Sequence, residues 1–186
     1  MKHENDVMLD LETMGVGPTA AIIAIGAVEF DLAAGAIGER FYATIDLASA
    51  VHAGGAMDAA TVMWWMQQSD AAREAFASGG EHIASVLQRF AVWLEARGVA
   101  VRVWGNGAAF DNVILASAYH RNGTPPPWQF RNNRCYRTVK ALRPGVPPVR
   151  VGTHHNAVDD AETQALHLMA LMHPQSVVAG GQGAPD

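Results

Sequence analysis

The stretch VGTHHNAVDDAETQ, Val151–Gln164, sets two adjacent histidines five positions ahead of two adjacent aspartates. An imidazole with an ordinary pKa near ~6.5 accepts a proton at neutral pH. Either pair, His154 with Asp159 or His155 with Asp160, therefore offers acid–base chemistry, although such residues at a helix start also serve as caps. LDLET supplies Asp10 and Glu12 two residues apart, and on a strand such side chains point to one face. Carboxylates held that close raise each other's proton affinity unless a cation neutralises them, which makes a hard divalent ion the natural occupant. An isolated pair of this kind is more often an exposed strand end. WGNGAAFDNVIL adds Asp111 at a helix start, where the helix dipole favours an acid, with Phe110, Ile114 and Leu115 able to face a core.

The elements that must position these groups follow from hydrophobic period. DVMLDLE and AAIIAIGAVEF are apolar runs suited to buried strands, DLAAG is a turn, and ERFYATI alternates as a third strand. Short loops make these an antiparallel meander with Asp10 and Glu12 near the end of its first member. Asp58 can cap a helix over AATVMWWMQQ and Asp70 one over AAREAFA, while Ile83, Val86, Leu87, Phe90 and Leu94 repeat at helical spacing up to Arg97. VAVRVWG returns to strand, AAFDNVILASAYHR reads as a helix, and GTPPP breaks it. WQFRNNRCY reads as a last strand before a short helix RTVKALR, and Asn156 caps a final helix to about Met172. No repeat, heptad or linker divides the chain. An early meander followed by alternating helices and strands indicates an α/β or α+β sheet with helices packed on it.

At 186 residues one domain with its own core is expected. Cys135 is the single cysteine, so no disulfide or zinc ribbon can be written, and it reads as a small buried residue in a reducing compartment. No apolar run is long enough to span a membrane and the N-terminus lacks a signal-peptide pattern, so a cytoplasmic protein is expected. The net charge of −5 hides an uneven distribution. From Asn112 to Val158 there is no Asp or Glu, while Arg121, Arg131, Arg134, Arg137, Lys140, Arg143 and Arg150 lie inside. That segment is either a solvated face, as composition alone favours, or a surface that meets phosphates. The absence of GxxxxGK[ST] excludes a P-loop phosphotransferase.

A strand DxE, a helix-start Asp and an H-x4-D before the last helix, in that order, resemble the DEDDh 3′–5′ exonucleases of the ribonuclease H-like fold. The resemblance runs from Val7 to Met172. LDLETMG, TVMWWMQQSDAAR, GAAFDNVIL, RNNRCYRTV and HHNAVDDAETQA resemble more narrowly the exoribonuclease-like and exonuclease VIII-like branch of bacteria and phages. The family places small residues two after the histidine and directly after the aspartate. Ala157 and Ala161 meet that pattern only for His155 with Asp160. A related branch has Tyr four residues before this aspartate, where Asn156 stands here.

The resemblance implies an α/β fold with a ribonuclease H-like mixed sheet, a three-stranded antiparallel meander plus parallel strands flanked by helices, in a single exonuclease domain over 1–173; the composition of the tail over 174–186 reads as disordered. It implies two divalent cations, Mg²⁺ or Mn²⁺, roughly 3.5–4 Å apart. Asp10 would bridge them, Glu12 and Asp160 would hold the water-activating ion, Asp111 would serve the other, and His155 would be the base. The implied reaction releases nucleoside 5′-monophosphates from the 3′ ends of single-stranded RNA or DNA, RNA slightly preferred, and the branch implies a homodimer. Two departures bear on substrate: Met14 stands where relatives carry Thr, and the second motif has Gly107 in place of its usual Asn, with Asn106 one place earlier. Met14, Trp64, Trp65, Asn106, Phe110, Arg134 and Arg137 are the candidate substrate-binding residues. The competing readings are a catalytically inactive nucleic-acid-binding module of the same fold and an endonuclease, the latter leaving the histidine unexplained.

Overall fold

A computed structural model describes residues 6–77 and 79–173, so the expected tail over 174–186 lies outside the described residues. The first three strands, β1 (Asp6–Thr13), β2 (Ile22–Asp31) and β3 (Ala36–Thr44), form the antiparallel meander. β4 (Arg102–Gly105) and β5 (Asn133–Cys135) add in parallel on the other side of β1, giving the order β3-β2-β1-β4-β5. The result is the expected mixed sheet, an antiparallel meander extended by parallel strands.

β1 lies at the centre and its alternation separates two layers. Val7, Leu9 and Leu11 enter a core shared with α4 (Ile83–Glu95) and α5 (Asp111–Arg121), whose Phe90, Leu94, Ile114 and Leu115 are fully buried. Met8 faces the opposite way, into a smaller core with Tyr136 of α6 (Tyr136–Leu142) and Ala161, Ala165 and Leu168 of α7 (Ala157–Met172). Asp10 and Glu12 share the parity of Met8, so both carboxylates face α7. Gly26 is the register partner of Asp10, and a Cβ there would land on the Ala157 backbone. Only glycine lets the start of α7 come this close to the sheet.

Several elements differ from expectation. Helix α1 (Leu47–His52) is unforeseen; its short run has no apolar period and depends on Asp46, which accepts from the Ser49 N–H at 2.8 Å. The expected helix over AATVMWWMQQ closes early as α2 (Ala59–Trp65), and α3 (Asp70–Ala77) begins at Asp70. The long strand expected over WQFRNNRCY pairs only at β5, after a 3-10 turn at Phe130–Asn132, because the partner β4 offers just four residues. Residues Ala108 to Phe110 form a turn rather than the first turn of α5, closed by the Phe110 N–H on the Gly107 carbonyl at 2.7 Å, with Gly107 at φ +110°. Asp111 thereby becomes the first residue of the helix. Among the described residues no helix is long and apolar enough to cross a membrane.

Candidate active site

The carboxyl end of β1, the turn after β4 and the start of α7 open into one cleft of about 660 Å³. Asp10, Glu12, Asn106, Phe110, Arg137, Trp64, Trp65, His154, His155, Asp160 and Gln164 all line it. Carboxylate oxygens of Asp10, Glu12 and Asp160 lie within 4.8 Å of one another, although Asp160 is 148 or more residues away along the chain. Asp111 reaches the same cluster from the other layer: its charge acts on both Asp10 and Glu12.

The electrostatics of the cluster are those of buried acids that repel one another. Burial pushes Asp10 well above the ordinary carboxylate range, with the charges of Asp111, Glu12 and Asp160 adding, and the Gln164 hydrogen bond opposing. Burial raises Glu12 from 4.5 to about 8, helped by Asp160 and Asp111 and opposed by Arg150. Burial likewise raises Asp111 to about 7 against the pull of backbone N–H groups and Arg137. The Oδ2 of Asp111 is buried with no hydrogen-bond partner. An all-oxygen donor set with an orphaned carboxylate oxygen fits a hard divalent cation, which would supply the missing charge.

The paired histidines and aspartates separate in space. Asn156 caps α7, accepting from the N–H groups of Val158 and Asp159. The Asp159 carboxylate turns back to the Thr153 N–H at 2.7 Å, against the Gly152 backbone, whereas Asp160 faces the cleft and accepts the His155 N–H at 2.9 Å. His155 has φ +62°, a left-handed conformation costing about 1–2 kcal/mol in a non-glycine residue. Its ring stands edge-on to Trp64 at 4.9 Å and to Trp65 at 6.2 Å, and contacts His154 at 4.3 Å. Burial lowers its pKa, with His154 and Arg150 pulling the same way and Asp160 opposing, so the ring is neutral and able to accept a proton near pH 7. His154 and His155 both have a ring nitrogen within 4.8 Å of Asp160.

The substrate candidates divide. Trp64 is 41% exposed on the cleft wall, while Trp65 is buried with its indole N–H on the Thr13 carbonyl at 2.9 Å. Arg137 crosses the cleft mouth and donates to the Asn106 carbonyl at 2.6 Å; Gly107 leaves room for it, since a Cβ there would sit 3.3 Å from the guanidinium carbon. Met14 is buried in the larger core and Arg134 folds onto the Arg131 and Asn133 carbonyls, so neither lines the cleft.

Three site residues escaped sequence reasoning. Gln164 donates to Asp10 at 2.7 Å, and its position one helical turn after Asp160 was the available signal. Arg150 pairs with Asp160 and donates to the Thr153 carbonyl from a loop with no periodic signal. Asn112 is fully buried and donates at 3.0 Å to both Val103 and Asn133, tying α5 to β4 and β5.

The sequence profile of the 3′–5′ exoribonuclease Rv2179c-like domain matches residues 5–172. No curated protein matches the chain in sequence. Among solved structures, E. coli exonuclease I in complex with a dT13 oligonucleotide superposes with a TM-score of 0.65 at 16% identity, covering 93% of this chain and 42% of that one. The nuclease domain of 3′hExo, a DEDDh family member bound to rAMP, gives 0.61 at 13% identity and 94% coverage of both chains. The cell-death related nuclease 4 gives 0.55 at 13% identity, with 92% and 64% covered. The chain thus spans about two fifths of exonuclease I and nearly all of the 3′hExo domain.

Proposed function

The chain belongs to the family of 3′–5′ exoribonuclease Rv2179c-like domains, and from that premise we propose that the cleft removes nucleoside 5′-monophosphates from the 3′ ends of single-stranded nucleic acid, RNA slightly preferred over DNA. The observation that carries the reading is the convergence of Asp10, Glu12 and Asp160 with Asp111 and His155 around one cleft. These four carboxylates would hold two divalent cations, Mg²⁺ or Mn²⁺. When bound, such ions polarise the phosphate and make water a nucleophile at neutral pH.

The protein's own groups do the rest. His155, neutral because burial lowers its pKa, takes the proton of the attacking water, and the Asp160 carboxylate on its backbone N–H fixes where the ring stands. Gln164 orients Asp10. Trp64 and Phe110 offer apolar surface to the terminal nucleotide, and Asn106 and Arg137 stand at the mouth where its phosphates enter. One neighbour is complexed with a DNA oligonucleotide and another with a ribonucleotide, and both sugars fall within this proposal. A homodimer and a cytoplasmic setting complete it, the first readable by sedimentation.

A time course on 5′-labelled single-stranded RNA, single-stranded DNA and duplexes, with Mg²⁺, Mn²⁺ or chelator, tests the reading. The expected result is a ladder shortening from the 3′ end that chelator abolishes. Tight binding without cleavage would make the protein a binding module, and internal cuts would make it an endonuclease.

A further inference from the structure

The described surface holds a second groove, of about 530 Å³, on the free edge of the sheet beside β5. Its walls include His120, Pro125, Pro126, Trp128, Phe130 and Arg131. Trp128 is buried, donates its indole N–H to Asn133 at 2.7 Å and packs edge-on to Tyr119 at 6.1 Å, so the floor is rigid. Phe130 is different: 85% of it is exposed, and it belongs to neither core. A bare aromatic ring over a rigid apolar slot offers a π face without serving the fold.

Charge connects this groove to the cleft. Arg131, Arg134 and Arg137 recur every third residue, from the groove, along β5, to the cleft mouth. No carboxylate interrupts the sequence from Asn112 to Val158. β5 rises by about 3.3 Å per residue and the preceding 3-10 turn by about 2 Å, so groove and cleft lie on the order of 15 Å apart. That gap is short for a strand of a few nucleotides. A row of cations ending at an exposed ring fits a polyanion whose bases are free to stack, which is a single strand and not a duplex.

We propose that the Phe130 groove is a second nucleobase subsite, holding an upstream base of the single strand whose 3′ end occupies the cleft, with Arg131 and Arg134 on the intervening phosphates. The proposal rests on the reading of the cleft as a 3′-end hydrolase. It makes binding depend on strand length, because a dinucleotide fills the cleft alone.

The test compares a dinucleotide with a single strand of roughly 10 nucleotides, a length within the span of known single-strand sites. KM is measured for both, together with anisotropy of the longer strand in chelator. For Phe130→Ala, KM and Kd for the long strand should rise about 5- to 150-fold, the equivalent of stacking one base on an aromatic ring, with dinucleotide kinetics unchanged. Arg131→Ala should flatten the salt dependence of long-strand binding by about 0.7 in logarithmic slope. Equal losses on both substrates, or no loss on the long strand, would overturn the subsite. A change of sedimenting mass in Phe130→Ala would overturn it in favour of a second copy of this chain. If the wild-type protein cleaves neither substrate, the hydrolase reading fails, and the anisotropy decides the groove separately.

Discussion

Binding of a divalent cation should expel protons, and their number follows from the site. With Glu12 raised to about 8 and Asp111 to about 7, both are largely protonated at pH 6 and Asp111 is largely ionised at pH 8 in the metal-free protein. Ligation requires both as carboxylates, so apparent Mn²⁺ affinity should rise by about tenfold or more from pH 6 to pH 8, and the raised Asp10 can only add to this. The fold feels the same linkage with a definite sign. A carboxyl whose folded pKa lies above its unfolded value favours the folded state below the unfolded pKa, and that contribution is lost as pH rises. For Glu12 the window runs from its ordinary 4.5 up to about 8. Metal-free protein should therefore lose stability across that range, and the rise in melting midpoint on adding Mn²⁺ should grow with it. Calorimetry in buffers of different ionisation enthalpy counts the protons directly. Fewer than about half a proton released at pH 6, or an affinity flat between pH 6 and pH 8, would refute the clustering of these acids around the ion.

Other expectations separate neighbouring residues. His155→Ala should lose on the order of 10²–10⁴ in turnover while still binding Mn²⁺, and His154→Ala should keep most activity; the reverse pattern in folded proteins would show that the other histidine is the base. Asp160→Asn should abolish the Mn²⁺-induced rise in melting midpoint and Asp159→Asn should retain it, whereas equal loss would place both at the ion. Gly26→Ala should cost at least about 1–3 kcal/mol in urea unfolding and weaken the Mn²⁺ response, because its Cβ meets the backbone of α7 with no flexible atom to yield; wild-type behaviour would disprove that close packing. Arg150→Ala, which removes the cation paired with Asp160, should tighten Mn²⁺ binding a few-fold, the equivalent of ~1 kcal/mol, and weakened binding would make Arg150 a residue that positions Asp160.

What the sequence by itself determined was the periodic part. The apolar run DVMLDLE marked a buried strand, the i, i+2 spacing of Asp10 and Glu12 put both acids on one face, and the helical spacing of Ile83, Val86, Leu87, Phe90 and Leu94 marked the buried side of α4. Asn156 announced the start of α7, and the order of the acidic motifs pointed to the family. These readings depend on neighbours along the chain, which the sequence records. Tertiary structure alone decided what distant residues do to one another. Gly26 looks like any glycine until α7 rests on it, and Met14 is a substrate candidate in the sequence that the fold buries in the larger core. β5 shrinks to three residues because β4 gives it no longer partner. Asp159 and Asp160 are one position apart, and the turn of the helix sends one to the Thr153 backbone and the other into the cleft. Arg150 reaches Asp160 across an irregular loop, whose path is set by packing rather than by any local preference of its residues.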